Sequence, residues 1–137
     1  MKIFFAGAIR GGREDREIYV KLINYLKNFG EVLTEHVGAE NLPSEEQHLT
    51  DEYLHETDVQ WLKNADLLVA EVSNPSLGVG YQIGVADVMS KKILCLYRNS
   101  AEKRLSAMIA GNKKLKLAYY DQIEQAYDAM DDFFGTI

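Results

Sequence analysis

Apolar runs alternate with amphipathic stretches along this chain, and that alternation limits the folds open to it more than any other feature. KIFFAG (2–7) is short, almost continuously apolar and closed by glycine, the pattern of a strand buried on both faces. From Glu14 to Phe29, apolar residues fall at 18, 19, 22, 23, 26 and 29, and Gly30 stands where a helix C-cap belongs. EVLTEH (31–36) reads as a second strand, followed by a polar loop from Gly38 to Thr50 and a helix from Asp51 to Ala65. DLLVAEV (66–72) reads as a third strand, and NPSLG leads into a helix from Gly78 to Ser90. KILCLY (92–97) is a fourth strand, KLKLAYY (114–120) a weaker fifth, and DQIEQAYDAMDDFF closes the chain as a helix. Strands and helices in this order build parallel βαβ units with helices on both faces of the sheet. The predicted fold is therefore α/β: a five-stranded, doubly wound parallel sheet in a three-layer sandwich. Strand order 2-1-3-4-5 is expected as the common arrangement at this length. Ligands of such sheets sit beyond the carboxyl ends of the strands. The loops after strands 1, 3 and 4 are the ones to search.

No repeat, low-complexity tract or Pro/Gly/Ser linker divides the 137 residues, so residues 1–137 are read as one domain. A formal net charge of −6 argues against a general polyanion-binding surface, and hence against a nucleic-acid polymer as partner. Any phosphate has to be held locally. The lone Cys95 sits in the apolar run ILCLY, can form no internal disulfide, and reads as a small buried hydrophobe in a reducing compartment. MKIFFAGAIRGG is too short an apolar run for a leader or a membrane span. A cytoplasmic protein without membrane attachment is expected.

After strand 1 comes GAIRGGRE (7–14), whose Gly7 and Gly12 have P-loop spacing. Arg13 and Glu14 replace the Lys and Ser/Thr that such a loop needs for phosphate and Mg²⁺, which disfavours a metal–triphosphate site. What remains is a glycine-rich turn before a helix, with Arg10 and Arg13 nearby. It suits a monophosphate, or it is a tight turn with solvated arginines. Asn74, Pro75 and Ser76 are residue types that start helices and leave N–H groups available for a second anion contact. Gly78, Gly80 and Gly84 are spaced GxGxxxG after the third strand, a weak dinucleotide signal; they better suit close approach of the helix to backbone or ligand. Asp58 has Leu54, Trp61 and Leu62 at i−4, i+3 and i+4, so it shares the inward face of its helix. A carboxylate there is either functional or bonded to a nearby backbone turn. Glu52, Glu56 and Lys63 fit the solvated face. His36 stands at the functional edge of the sheet, although a lone histidine is commonly structural, and His48 and His55 show no ligand spacing; no metal is predicted.

FFAGAIRGGREDREIY, VLTEHV, LHETDVQWL, ADLLVAEVSNPSLGVGYQIG, ILCLYR and LSAMIAG together resemble the 2′-deoxynucleoside 5′-monophosphate N-hydrolases, relatives of the nucleoside 2′-deoxyribosyltransferases. The likeness runs in order over roughly residues 3 to 111. It implies a homodimer that splits a deoxynucleoside monophosphate into free base and 2-deoxyribose 5-phosphate, with no cofactor. It further implies that Gly7, Ile9, Arg10 and Gly11, with Ser76 and Gly78, hold the phosphate, and that Ser106 reaches in from the partner subunit. Asp58, in the HExD pattern, is implied as acid/base and sugar contact. The nucleophile of the family is a glutamate in GYExG, and here that position is Gln82. An amide supplies no anionic oxygen to capture the sugar carbon, while its size and hydrogen-bonding reach suit continued binding. Phe4 stands where family members often have Tyr, and Ala8 where the usual loop reads GSIRGG, each removing a hydroxyl from the expected pocket.

Three functional classes follow: an impaired hydrolase, a nucleotide-binding protein without activity, and a deoxyribosyltransferase. The last wants the same glutamate. A phospho-receiver domain shares the architecture, but the paired acids after strand 1 and the lysine late in the sheet are missing.

Overall fold

The computed structural model describes residues 1–9, 15–39 and 47–137. Its strands are β1 (Lys2–Ala6), β2 (Glu31–Val32), β3 (Leu67–Glu71), β4 (Lys92–Arg98) and β5 (Lys116–Tyr120). The helices are α1 (Arg16–Leu26), α2 (Asp51–Asn64), α3 (Leu77–Val88), the short α4 (Ala107–Ala110) and α5 (Ile123–Gly135), with a 3₁₀ turn at Glu35–Gly38. All pairings are parallel, as the alternation predicts, and the order is β2-β1-β3-β4-β5, the common arrangement expected at this length.

Strand alternation divides the core in two. Ile3, Phe5, Leu67, Val69, Leu94 and Leu96 face one side, where α1 and α5 supply Tyr19, Leu22, Leu26, Met130 and Phe133. Phe4, Ala6, Leu68, Ala70, Ile93 and Cys95 face the other, against Leu62 of α2 and Val79, Ile83 and Ala86 of α3. Burial of both faces explains the continuous apolar runs of the inner strands. It also seals Cys95, whose thiol is pushed up to about 12 by desolvation.

Three local expectations are corrected. β2 ends at Val32, four residues before His36, because the Thr34 side chain takes over from the backbone ladder. Its hydroxyl donates to Phe5 O at 2.6 Å and accepts from Phe5 N at 2.8 Å, so β1 is satisfied while the chain turns away. His36 consequently sits in the 3₁₀ turn and not at the end of a strand. Gly30 is not the cap of α1, whose C-cap is Lys27. A Cβ at Gly30 would lie 2.2 Å from Met1 O, so glycine is required where the chain passes the start of β1. Third, the loop expected after strand 4 contains the short α4, whose four residues are too few for a periodic signal.

Candidate active site

Phe4 and Ala6 of β1 point to the α2/α3 side, and the residues flanking the end of that strand form a narrow cleft with both helices. Gly7, Ile9, His36, Asp58 and Gln82 all line it. The sequence thus scatters these residues from Gly7 to Gln82, and the parallel sheet gathers them.

Each arrives for a local reason. Asp58 is half-buried on the inward side of α2, one turn before the fully buried Leu62. Glu52, Glu56 and Lys63 are exposed, in keeping with their solvated-face reading. Gln82 follows Val79 by three residues and precedes Ala86 by four, both buried, so it borders the packed face of α3. There its Nε2 donates to Asp58 Oδ2 at 2.9 Å. An acceptor-only carboxylate dictates that amide orientation. The His36 ring lies 5.2 Å from the Trp61 ring, giving the cleft an aromatic flank.

Gly7 has a packing reason of its own. A Cβ there would come within 3.0 Å of the Tyr19 ring, whose hydroxyl accepts from Ala8 N at 3.0 Å. Phe4 lines the cleft as expected, but Ala8 is fully buried and is not among the lining residues, so its missing hydroxyl is not lost from the cleft. Arg10 and Gly11 lie outside the described residues, as do Gly12, Arg13 and Glu14 of the same loop and most of the polar loop before α2.

Ser76 is the N-cap of α3, its Oγ accepting from Val79 N at 3.2 Å, and Gly78 is exposed in the first turn. The amino end of a three-turn helix suits an anion. Ser76 and Ser106 both border a second, larger hollow of about 710 Å³, mainly apolar, running between α3 and the segment that leads into α4. Ser106 Oγ accepts from Met108 N at 3.2 Å. Within one chain, then, Ser106 belongs to this groove and not to the Asp58–Gln82 cleft. A Cβ at Gly80 or Gly84 would meet nothing within 4 Å; these glycines leave a hollow strip on α3 and do not serve packing within the described chain.

Among the described residues, no group of three or more His, Cys, Asp or Glu could hold a metal ion. His55 Nε2 instead pairs with the Tyr81 hydroxyl at 2.9 Å.

Sequence reading missed a polar cluster on the opposite side of the sheet. Glu71 is fully buried at the end of β3 and is met by Ser73, Tyr120 and Arg98, the last of which also binds Asp15 at 3.0 Å. Burial holds the Glu71 carboxyl above the usual range, while hydrogen bonds from Tyr120 and Ser73 pull the other way. The signal was available: one acid inside the apolar run LLVAEV.

A family model described as nucleoside 2-deoxyribosyltransferase matches residues 3–130. The 5-hydroxymethyl-dUMP N-hydrolase of Tetraodon nigroviridis is 47% identical over 143 aligned positions, covering 99% of each chain. The human protein of the same name is 51% identical over 111 positions, covering 80% of this chain and 64% of its own length. Among solved structures, a CMP N-glycosidase of Clostridium botulinum superposes with a TM-score of 0.69 at 20% identity, over 97% of this chain and 99% of that one. A 2-deoxyribosyltransferase of Bacillus psychrosaccharolyticus superposes with a TM-score of 0.66 at 16% identity, over 93% and 91%. At these identities the structural likeness concerns the fold.

Proposed function

The chain belongs to the nucleoside 2-deoxyribosyltransferase family, and from that premise we propose that it is an N-hydrolase of 2′-deoxynucleoside 5′-monophosphates, acting through one domain spanning residues 1–137. The observation that carries this is the 2.9 Å contact between Gln82 and Asp58 at the mouth of β1. N-glycoside cleavage with retention uses two carboxyl groups flanking the bond: one attacks C1′ as the C1′–N bond breaks, and the other protonates the departing base. The protonating group then takes a proton from the water that releases 2-deoxyribose 5-phosphate. Asp58 and Gln82, whose amide stands where the attacking carboxyl would, line one cleft. Asp58 fits the acid/base role. Gln82 occupies the nucleophile position with an amide in place of the carboxylate. It offers neither a nucleophilic anion nor a charge to stabilise the oxocarbenium-like transition state, so the chain binds its substrate far better than it turns it over.

For the phosphate, the reading uses the α3 amino end with Ser76 and Gly78, and Gly7, Ile9, Arg10 and Gly11 of the loop after β1. His36 flanks the base or sugar. Relatives named for 5-hydroxymethyl-dUMP make a 5-substituted deoxyuridine monophosphate the first substrate to try.

The same reading makes the protein a homodimer with shared sites. Its support is the groove beside Ser76, where Leu77 is 97% and Met108 82% exposed and the strip at Gly80 and Gly84 leaves room for a second helix. A second copy seated there would carry its Ser106 towards the neighbouring phosphate. A cytoplasmic location agrees with the single buried thiol, and among the described residues no helix is long and apolar enough to cross a membrane.

The Gln82 amide favours one alternative, a binding protein without turnover. Calorimetry with 5-hydroxymethyl-dUMP, its nucleoside and its free base, alongside chromatographic detection of released base, tests the proposal. Binding of the monophosphate with slow release supports it. Absence of binding to any deoxynucleoside monophosphate would sink it.

A further inference from the structure

Glu71 has no solvent exposure, and no step of the proposed chemistry uses it. Its Oε1 accepts from Ser73 N at 2.6 Å, and its Oε2 accepts from Ser73 Oγ at 3.0 Å and from the Tyr120 hydroxyl. The Ser73 oxygen in turn accepts from Arg98 N at 2.7 Å, at the last residue of β4. The Arg98 guanidinium reaches Asp15 Oδ1 at 3.0 Å and lies 3.9 Å from Glu71 Oε2. Asp15 is buried immediately before α1. One carboxylate therefore ties Ser73, just after β3, to Tyr120 at the end of β5, to Arg98 at the end of β4 and, through Arg98, to Asp15 before α1. Ser73 leads into the turn that carries Ser76 and Gly78.

A buried carboxylate costs several kcal/mol unless its lone pairs are filled. Here they are filled by the Tyr120 hydroxyl and by two donors of Ser73, the residue that begins the turn into α3. Between Ser73 and Ser76 stand a buried Asn74 and Pro75, whose ring fixes φ. With Asn74 packed and Pro75 restricted, a displacement of Ser73 passes along a stiff turn to the N-cap.

We propose that Glu71 is a positioning residue for the phosphate of the nucleotide: by clamping Ser73 it sets the place of Ser76 and the α3 amino end, and through Arg98 it sets that turn against Asp15 at the start of α1. This rests on the monophosphate reading above. Ser73 N–H can only donate, so one Glu71 oxygen must accept it; an amide of equal size would turn its N–H towards the Ser73 and Tyr120 hydroxyls, which would have to change from donating to accepting. The residue touches no reacting atom and acts through Ser73.

The test compares affinities of the parent, Glu71→Gln and Tyr120→Phe for a deoxynucleoside monophosphate and for the matching deoxynucleoside, with circular dichroism and thermal unfolding on each. Glu71→Gln is expected to weaken the monophosphate by about tenfold or more, the scale of a charged hydrogen bond lost, and to leave the nucleoside within about twofold. Tyr120→Phe, which removes one donor and keeps the carboxylate, should shift the same ratio by less. It also keeps the proposal testable if the glutamine variant does not fold. Equal losses for both ligands would mean general disorder of the site, and no loss would mean no coupling; either overturns the proposal. If the parent itself binds no monophosphate, the functional reading falls and takes this inference with it. If the parent binds and the Glu71 and Tyr120 variants match it, only the positioning role falls.

Discussion

Restoring a carboxylate at position 82 is the most decisive perturbation open to experiment. Gln82 Nε2 is 2.9 Å from Asp58 Oδ2, so Gln82→Glu sets one carboxylate oxygen against another. At an effective dielectric of about 20, two unit charges roughly 3 Å apart repel by about 5.5 kcal/mol. Keeping one carboxyl protonated at about pH 7, some three units above its ordinary range, costs roughly 4 kcal/mol at about 1.36 kcal/mol per unit. Repulsion wins by about 1.5 kcal/mol, or roughly one pH unit. The pair therefore keeps a single proton at neutral pH and loses it not far above. One group is then the acid and the other the attacking anion, which the amide–carboxylate pair of the parent cannot be. Base release from a deoxynucleoside monophosphate should rise by on the order of 10⁴-fold, with a bell-shaped pH profile whose alkaline limb falls near neutrality. Chromatographic rates from about pH 5 to 9, with intact-mass detection of a deoxyribosyl phosphate adduct, measure both. A variant that binds nucleotide as the parent does yet stays inert at every pH would refute the reasoning, and so would a rise in rate with a flat profile.

Ser76→Ala removes the cap that accepts from Val79 N, so unfolding free energy should drop by about 1 kcal/mol, while monophosphate affinity drops by about 1 to 3 kcal/mol and nucleoside affinity holds. Leu77→Glu puts a charge in the centre of the exposed groove, and light scattering should show the parent as a dimer and the variant as a monomer. Cys95, buried and with its thiol held up to about 12, should resist alkylation in the native state and react only on unfolding, which mass spectrometry with a thiol reagent would show. Glu71 has its folded-state pKa raised, so its contribution to stability is whole below the unfolded value of 4.5 and is lost as pH rises through the folded value. Urea unfolding of parent and Glu71→Gln across that window should show the parent losing ground to the variant as pH rises; parallel curves would contradict the shift.

Much of the architecture was legible because periodicity reports which side of an element is packed. Doubly buried strands show as apolar runs, and helices between them force parallel pairing; the order β2-β1-β3-β4-β5 is expected only as the common arrangement for such a sheet, and the structure has it. The inward placement of Asp58 followed from Leu54, Trp61 and Leu62 at helical spacing. Ser76 was readable as a helix starter, which the structure bears out as an N-cap. The end of β2 was not readable, because Thr34 replaces the ladder by bonding a strand 29 residues away. Gly30 looked like a cap because nothing local reveals that Met1 passes alongside it.

By itself, then, the sequence determined the α/β class, the parallel pairing, the inward helix faces and the family motifs, all of which depend on residues near one another along the chain. Tertiary structure alone decided that Gln82 donates to Asp58, that Glu71 gathers Ser73, Tyr120 and Arg98, and that Ser106 lies in the apolar groove apart from the cleft. Apart from the local Glu71–Ser73 pair, the hydrogen bonds span 24 residues between Asp58 and Gln82 and 49 between Glu71 and Tyr120, and their distances depend on sheet register and helix docking. Periodicity carries the facing of a side chain, but it carries no information about which distant side chain it will meet.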